Sequence, residues 1–385
     1  MKNVFIRGPL LTQSGYGVHS RQIFKWAKSK GYNITVQLLP WGITPWYTSG
    51  EELDGLIGEI MMCSKPPVQK PDLSIQIQLP HEWDPSIGIK NIGVTAGIEA
   101  TSCNLEWISA CDNMDLVITP SKFAQDTLVQ SGLSPEKITV IPESFPQCFF
   151  EKELPEFELN LPTDFNFLIL GQITGDPDCD RKRTIETIAN FLNAFRGDPT
   201  VGLIVKTNMG KNCSIDREIT EHSLRNFIKT QNLSKIDPKV YLLHGYLHER
   251  EICALYRSKN IKALISGTRG EGFGLPLLEA AACDLPVIAT GYSAHTEFLN
   301  LGKWIKINSS LQQIPDRKAD GKIWVKGSKW ANIDSNDFID KIKKFKKKGT
   351  SIPNEWAKNL GSKIRDKYSE KSIFCIYDQK LGVFL

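Results

Sequence analysis

The stretch TRGEGFGLPLLEAAACDLPVIATGYSAHTEFL, residues 268–299, shows the strongest pattern in the chain. Glu271 stands in a glycine-rich turn, an apolar segment containing Glu279 follows, and a short apolar strand over 286–289 comes next. Glycines let backbone N–H groups approach a ligand closely, and a helix N-terminus favours anions. Because a spacing of eight residues is near a whole number of helical turns, we expect both carboxylates on one face. The pattern predicts a site that binds hydroxyl-rich groups at both ends, with phosphates on the amides between them.

The block resembles the Glu-x7-Glu signature of the retaining glycosyltransferases of family 4, including Gly-Phe-Gly-Leu-Pro between the acids and Pro-Val-Ile-Ala after them. The resemblance implies an α/β architecture of the GT-B type, with two Rossmann-like doubly wound domains facing a central cleft. It implies that Glu271 contacts the donor sugar and Glu279 the ribose of a nucleotide. It further implies that sugar and phosphate contact the amides of Gly272, Phe273, Gly274 and Leu275. The alternative is a buried turn and helix whose acids are only helix caps.

The length fits two domains, and the composition is that of an ordinary soluble protein. The chain has 385 residues, of which 41% are hydrophobic and 23% charged, and a net charge of +4 is too slight to indicate a polyanionic partner by itself. Nine cysteines without a Cys-x-x-Cys pair favour a reducing compartment. We find neither a signal peptide nor the ~18 apolar residues that span a membrane. These features predict a cytoplasmic protein, or one of the host cytoplasm if the chain is viral.

Short apolar runs alternate with amphipathic stretches, which predicts two successive parallel sheets covered by helices. Strands are expected at 3–7, 34–38, 73–77, 92–95, 116–119 and 139–141, and again at 167–170, 202–206, 240–243, 263–265 and 287–289. With the resemblance, this predicts an N-terminal acceptor-side domain over 1–150, a linker over 151–164, a C-terminal nucleotide-sugar domain over 165–355, and a tail over 356–385 that crosses back. Residues 308–332 are expected to form an irregular insertion.

Departure of a nucleoside diphosphate needs positive charge from a metal or from basic side chains and helix N-termini. No Asp-x-Asp motif stands where such a metal would be needed, so we expect basic side chains and no metal. The resemblance implies an arginine after the first strand of the second domain and a lysine a few residues later. Gln172 occupies the arginine position, and Lys182 matches the lysine. The missing charge is expected from Arg181, Arg183 or Lys206, although Arg181 and Arg183 also fit plain surface charges at a helix start.

Two features of the first domain are weaker candidates. The loop after the first strand contains Gly15 and Gly17, which the resemblance places at the donor phosphate or the acceptor. Glu99 follows the strand at 92–95, where many family members have a histidine that contacts the transferred sugar. A glutamate there can bond a hydroxyl of donor or acceptor, or serve only as a helix-start carboxylate.

We therefore predict a metal-independent retaining glycosyltransferase with no permanent cofactor, which uses a nucleotide-diphosphate sugar, UDP-sugar in preference to GDP-sugar. The acceptor is a hydroxyl of a glycan, a lipid-linked sugar or a modified base of phage DNA; the variants at 96–101 and 293–299 look like viral and phage forms. A sugar-nucleotide epimerase of the same fold and a catalytically silent nucleotide-sugar-binding protein are the alternatives. The lysine-rich segment over 338–348 fits a polyanion-binding patch or, more simply, a solvated helix with an apolar stripe inside.

Overall fold

The chain folds into two compact units, each built on a six-stranded parallel sheet. The computed structural model describes residues 2–173, 176–208 and 210–384. Within them, the first unit contains the chain up to Ser144, Ala319–Ser328 and the chain from Lys367 onward, and the second unit contains Phe145–Lys318 and Lys329–Asp366. In this division the expected linker over 151–164 falls in the second unit. The domain limits expected from the sequence remain predictions.

All six strands of the first sheet run parallel, in the order β2-β1-β3-β4-β5-β6. They are β1 (Asn3–Gly8), β2 (Asn33–Leu38), β3 (Leu73–Ile77), β4 (Lys90–Val94), β5 (Leu116–Thr119) and β6 (Ile138–Val140). Helices of the same part of the chain are α1 (Gly15–Ser29), α2 (Leu56–Met62), α3 (Leu105–Asp112) and α4 (Lys122–Gln130). Every residue of β3 and of β5 is buried. β5 reads as a short apolar run, as expected for a strand covered on both faces. In β3 the buried polar residues Ser74 and Gln76 hydrogen-bond to Asn91 and to the carbonyl of Asp84.

The second sheet is also parallel and has the order β12-β11-β10-β7-β8-β9. Its strands are β7 (Phe165–Leu170), β8 (Val201–Thr207), β9 (Lys239–His244), β10 (Ile261–Ser266), β11 (Val287–Thr290) and β12 (Ile305–Ile307). The helices that follow α4 are α5 (Thr184–Ala194), α6 (Ser214–Thr230), α7 (Glu249–Tyr256), α8 (Leu275–Ala282), α9 (His295–Leu299), α10 (Ser335–Lys348), α11 (Ser351–Lys367) and α12 (Glu370–Leu381). This is the doubly wound order, whose direction reverses between β7 and β10. The expected Rossmann-like character of both sheets is confirmed.

The last helix, α12, belongs to the first unit and packs against α1. Trp26 of α1 stacks on Tyr377 with ring centroids 5.2 Å apart, and its indole N–H donates to Asp378 at 3.0 Å. Lys25 pairs with Glu370 at 2.7 Å. A buried aromatic stack with polar contacts at its rim therefore fixes the C-terminal helix on this unit.

The expected irregular insertion over 308–332 is wrong at both of its ends. β13 (Ser309–Gln313) and β14 (Lys329–Ile333) pair antiparallel as a hairpin. All five residues of β13 are exposed, so this strand has no apolar alternation by which the sequence could reveal it. Trp330 of β14 is fully buried, and its ring lies under the guanidinium of Arg269 at 5.0 Å. The hairpin thus supports the loop that contains Glu271.

The lysine-rich segment forms α10, and its apolar stripe faces the core of the second unit. Phe338, Ile342 and Phe345 are buried, and the ring of Phe345 lies 5.8 Å from that of Phe167. Lys343 and Lys344 on the other face are exposed. The simpler interpretation of this segment, a solvated helix with an apolar inner stripe, is confirmed. Among the described residues, no helix combines the length and apolarity that crossing a membrane requires.

Replacing Phe345 with Ala should lower the free energy of unfolding of the second unit by about 3–5 kcal/mol, because the change leaves a cavity in the aromatic core. Lys344→Ala on the exposed face of the same helix is the matched control, with an expected change within about 0.5 kcal/mol. Urea unfolding followed by far-UV circular dichroism measures both. Equal effects of the two substitutions would contradict the packing of α10.

Candidate functional site

The reversal of strand order in the second sheet brings together two loops that contain charged side chains. Parallel doubly wound sheets bind ligands beyond the carboxyl ends of the strands, at the point where the order reverses. In this sheet that point lies between β7 and β10. The segment after β7 contains Arg181 and Lys182, and the loop after β10 contains Glu271. Their backbones are joined where the N–H of Arg269 donates to the carbonyl of Arg181 at 2.8 Å.

Glu271 is buried and is held by two cations. The ammonium of Lys182 lies 2.7 Å from both carboxylate oxygens, and Nη1 of Arg181 lies 3.3 Å from Oε2. Arg181 also donates to the carbonyl of Gly270 at 2.6 Å. Burial alone would raise the pKa of Glu271, but attraction to Lys182 and Arg181 and the hydrogen bonds from Lys182 outweigh it and lower the pKa to about 2. The carboxylate is therefore ionised at neutral pH and acts only as an acceptor.

Asp180 orders the segment that presents the two cations. Its Oδ1 accepts from the N–H of Lys182 and its Oδ2 from the N–H of Thr184, both at 2.9 Å. Arg183, which precedes α5, has φ of 51°. Its guanidinium forms an ion pair with Glu186 and a hydrogen bond with Asn332. Because Arg183 is buried, the alternative of a plain surface charge is wrong for this residue.

Two residues with positive φ fix the turn before α8: Gly274 within the turn, and Ser293 in the loop after β11. Gly274 has φ of 104°, and a Cβ there would lie 3.1 Å from Cβ of His295. Ser293 has φ of 79°, and its hydroxyl accepts from the N–H of Glu271 at 2.8 Å. The same hydroxyl lies 3.4 Å from Nδ1 of His295, whose Nε2 is 2.7 Å from the carbonyl of Thr290. Ser293 and His295 thus fix the backbone that carries Glu271.

The predicted amide donors lie where α8 begins. Gly272, Phe273 and Gly274 are buried and precede the helix, and Leu275 is its first residue. The Phe273 ring packs on Phe298 with centroids 5.5 Å apart, so this residue offers a ligand its backbone and not its ring. A helix N-terminus of this kind carries a partial positive charge and stabilises anions.

Glu279 has a different environment from Glu271. Its Oε2 accepts a hydrogen bond from the hydroxyl of Tyr256 at 3.2 Å. Burial raises the pKa of Glu279 to about 8, with the Tyr256 hydrogen bond opposing the shift. Glu271 lies in the turn and Glu279 in the helix, so the helical spacing used to place both carboxylates on one face does not apply to Glu271; the shared face stays a prediction.

Lys206 lies at the end of β8 and is directed at the neighbouring loop. Its ammonium donates to Oδ1 of Asn208 at 2.5 Å and to the carbonyl of Gly245, which follows β9. The side chain is 6% exposed, and burial lowers its pKa to about 8. Lys182 and Arg181 both contact Glu271, whereas Lys206 contacts Asn208 and the carbonyl of Gly245.

An Asp-x-Asp sequence does occur, at Asp176 to Asp178, but its carboxylates bind an arginine. Arg317 donates to Oδ2 of Asp176 at 2.9 Å and to Oδ2 of Asp178 at 2.8 Å. Hydrogen bonds from Arg317 lower the pKa of Asp176 well below its usual range. Over residues 2–173, 176–208 and 210–384, no group of three or more His, Cys, Asp or Glu side chains is arranged to hold a metal.

The remaining candidates lie in the first unit, around the loop after β1. Gly15 begins α1, and Gly17 is close to the carbonyls of Pro9 and Thr12, where a Cβ would clash. Gly17 therefore has a packing reason to be glycine, whatever it binds. Glu99 lies in the segment after β4 and is half-buried.

Sequence reasoning missed a tyrosine that links these two loops. The hydroxyl of Tyr16 lies 3.0 Å from Oγ1 of Thr95 and accepts from the N–H of Ala96 at 2.9 Å. Its ring stacks on Trp41 with centroids 3.8 Å apart. Asp180, Ser293 and Tyr256 were missed in the same way. A polar residue shortly after a strand was the available signal for Ser293, which follows β11, but no local pattern marks Tyr256, whose partner lies on another helix.

Comparison by sequence gives a partial match. The model of the family described as "Glycosyl transferases group 1" matches residues 224–317. The matched segment includes α7, β10 and α8, and with them Glu271 and Glu279. A search of curated proteins gives no match.

Comparison by structure covers the whole chain. HepE from Anabaena, solved in complex with UDP and glucose, has a TM-score of 0.68 at 14% identity over 100% of both chains. Sucrose-phosphate synthase from Thermosynechococcus elongatus has a TM-score of 0.65 at 13% identity over 98% of both chains. The lipopolysaccharide outer core galactosyltransferase WaaB has a TM-score of 0.57 at 15% identity over 100% of both chains. The chain has the GT-B fold.

Removing the ammonium of Lys182 should raise the pKa of Glu271 from about 2, because burial then acts with one cation fewer to oppose it. The variant is Lys182→Ala, and Lys182→Arg, which keeps the charge, should leave the pKa low. The pH titration of the ¹³Cδ resonance, assigned by its loss in Glu271→Gln, measures the shift. Identical titration curves for Lys182→Ala and the parent protein would show that this ion pair is absent in solution.

Proposed function

We propose that this protein is a retaining glycosyltransferase that takes its sugar from a nucleotide-diphosphate sugar and works without a metal. The main support is the Glu271 carboxylate, ionised and buried between Lys182 and Arg181 at the switch point of the second sheet. The two cations and the N-terminus of α8 suit the diphosphate of a nucleotide sugar, and the carboxylate beside them suits hydrogen bonds from the sugar hydroxyls. The partial match to group 1 glycosyltransferases includes this loop.

The ion pair has a direct role in this proposal. The diphosphate of the donor attracts Lys182 and Arg181, and Glu271 then accepts hydrogen bonds from hydroxyls of the sugar. Lys206, with its pKa lowered to about 8, adds charge from the end of β8. Glu279 holds the ribose, Gly15 and Gly17 contact the donor phosphate or position the acceptor, and Glu99 bonds a hydroxyl of donor or acceptor. Lys182, Arg181 and Lys206 neutralise the charge that develops on the departing diphosphate.

The chemical step retains the configuration of the sugar. The bond between the anomeric carbon and the β-phosphate oxygen breaks, and the acceptor oxygen bonds to the same face of that carbon. The acceptor proton passes to the departing phosphate oxygen, so no basic side chain is needed for it. Fixed positive charge around the phosphate is the protein's main contribution to this step.

UDP is the preferred nucleotide of the donor. HepE was solved with UDP and with UDP-glucose, and it has the same fold as this chain. The acceptor is a hydroxyl of a glycan, a lipid-linked sugar or a modified DNA base. An epimerase would rearrange its donor without an acceptor, and a silent binding protein would bind nucleotide without turnover. We favour transfer because Lys182 and Arg181, which lie beside Glu271, are suited to neutralise a leaving diphosphate.

The parent protein, incubated with UDP-, GDP- or ADP-sugars and EDTA, should release nucleoside diphosphate from one donor by slow hydrolysis. Lys182→Ala and Glu271→Ala should each lower that rate by about 100-fold or more, the loss expected for a transition-state electrostatic contact. Lys303→Ala, a lysine that lies over Trp356, is the matched control and should keep the rate. Nucleotide binding without any turnover, with acceptor extracts included, would favour the silent binding protein. Full inhibition by EDTA would contradict metal independence.

The anomer released in the same reaction tests the stereochemical course. Early ¹H NMR spectra of hydrolysis of an α-linked UDP-sugar should show the α-anomer of the free sugar, before mutarotation, because water attacks the face that the phosphate leaves. First appearance of the β-anomer would overturn retention while leaving the transferase activity intact.

A further inference from the structure

The contact between α7 and α8 contains a partly buried hydrogen bond that the steps above do not use. Tyr256, the last residue of α7, is 1% exposed, and its hydroxyl donates to Oε2 of Glu279 at 3.2 Å. A tyrosine hydroxyl fully withdrawn from water normally has a partner. Here its partner is the carboxylate to which the proposed function assigns the ribose.

Neighbouring side chains hold Tyr256, the hydrogen-bond donor, in place. The ring of Phe149 meets the Tyr256 ring edge-on at 6.5 Å between centroids. Arg257, the next residue, donates to the carbonyls of Phe149 and Glu151. Two thiols of the same helix pair, Cys253 and Cys283, lie 3.4 Å apart. The end of α7 is therefore fixed both to the segment at 149–151 and to α8.

We infer that Tyr256 is a positioning residue for nucleotide recognition. Its hydroxyl occupies Oε2 of Glu279, which orients the carboxylate and leaves Oε1 to accept hydrogen bonds from the vicinal hydroxyls of a ribose. This inference rests on the proposed function and deepens it, because it names the residue that orients the ribose-binding carboxylate. A 2′-deoxyribonucleotide has one hydroxyl fewer and binds this carboxylate more weakly.

The charges around Glu279 support this role. Burial raises its pKa to about 8, Tyr256 lowers it, and Glu249 on α7 raises it. The other titratable groups at this contact are the thiols of Cys253 and Cys283, next to Arg257. Burial raises the pKa of Tyr256 well above its usual range, so this hydroxyl keeps its proton and remains a donor. Ribose hydroxyls donate to the ionised carboxylate, so nucleotide affinity should rise as pH increases through about 8.

The test measures binding of UDP, GDP and ADP by calorimetry to the parent protein and to Tyr256→Phe, which removes only the hydroxyl. For the nucleotide that binds, we expect Tyr256→Phe to raise the Kd about tenfold, as for a lost hydrogen bond to a charged group. In turnover of the matching nucleotide sugar, KM should rise and kcat stay within about twofold, since the ribose contact is made equally in ground and transition states. The pH midpoint of binding should move upward, because the hydrogen bond that lowered the pKa of Glu279 is gone.

Tyr241→Phe is the matched control in the same unit. The hydroxyl of Tyr241 lies 2.9 Å from Thr163, which precedes β7 and so lies at the opposite end of the sheet from the site. We expect the Kd of this variant to equal that of the parent protein. Glu279→Gln, which keeps the shape and removes the charge, should weaken binding at least as much as Tyr256→Phe and abolish the pH dependence.

The outcomes separate the two proposals. If the parent protein binds none of the three nucleotides, the proposed function is overturned and this inference with it. If it binds one, and Glu279→Gln weakens binding while Tyr256→Phe does not, the positioning role is overturned and the function stands. One measurement needs no variant: equal affinity for the ribonucleotide and its 2′-deoxy form would overturn the inference.

Discussion

The candidate site of the second unit is organised around one ion pair, between the buried carboxylate of Glu271 and the half-buried Lys182. A carboxylate withdrawn from water is costly unless cations and hydrogen bonds replace the lost hydration. Lys182 and Arg181 supply both, and they come from a segment about 90 residues earlier in the chain. The pair can form only because the sheet reverses its strand order between β7 and β10, which brings the two loops together. A ligand that is itself anionic competes for the same cations.

Several local features exist to hold that pair in place. Asp180 closes the turn that presents Lys182, and the Ser293 hydroxyl accepts from the backbone of Glu271. Gly274 allows the chain to enter α8 with positive φ. Beneath the loop, Arg269 lies over Trp330 of the hairpin that the sequence did not reveal. The preorganised site therefore depends on elements from four separate parts of the second unit.

The two glutamates of the signature differ in the state of their carboxyl groups. Cations lower the pKa of Glu271 to about 2, whereas burial beside a neutral tyrosine raises that of Glu279 to about 8. Two acids eight residues apart in one motif are thus given different charge states by their surroundings. The carboxylate of Glu271 is ionised at neutral pH and is held by cations. The carboxyl group of Glu279 changes its charge near pH 8.

The sequence alone determined the two parallel sheets, since buried strands between amphipathic helices leave continuous apolar runs. It also located Glu271, Glu279 and Lys182, because glycine turns and a basic segment before a helix are local signals. It could not reveal β13, whose residues are all exposed, or the partners of each charge. The helical-phase argument for the two glutamates failed because a turn residue has no helical register. Tertiary structure alone decided that Lys182 meets Glu271 and Tyr256 meets Glu279, since burial and distance between remote segments set the charge state of each group.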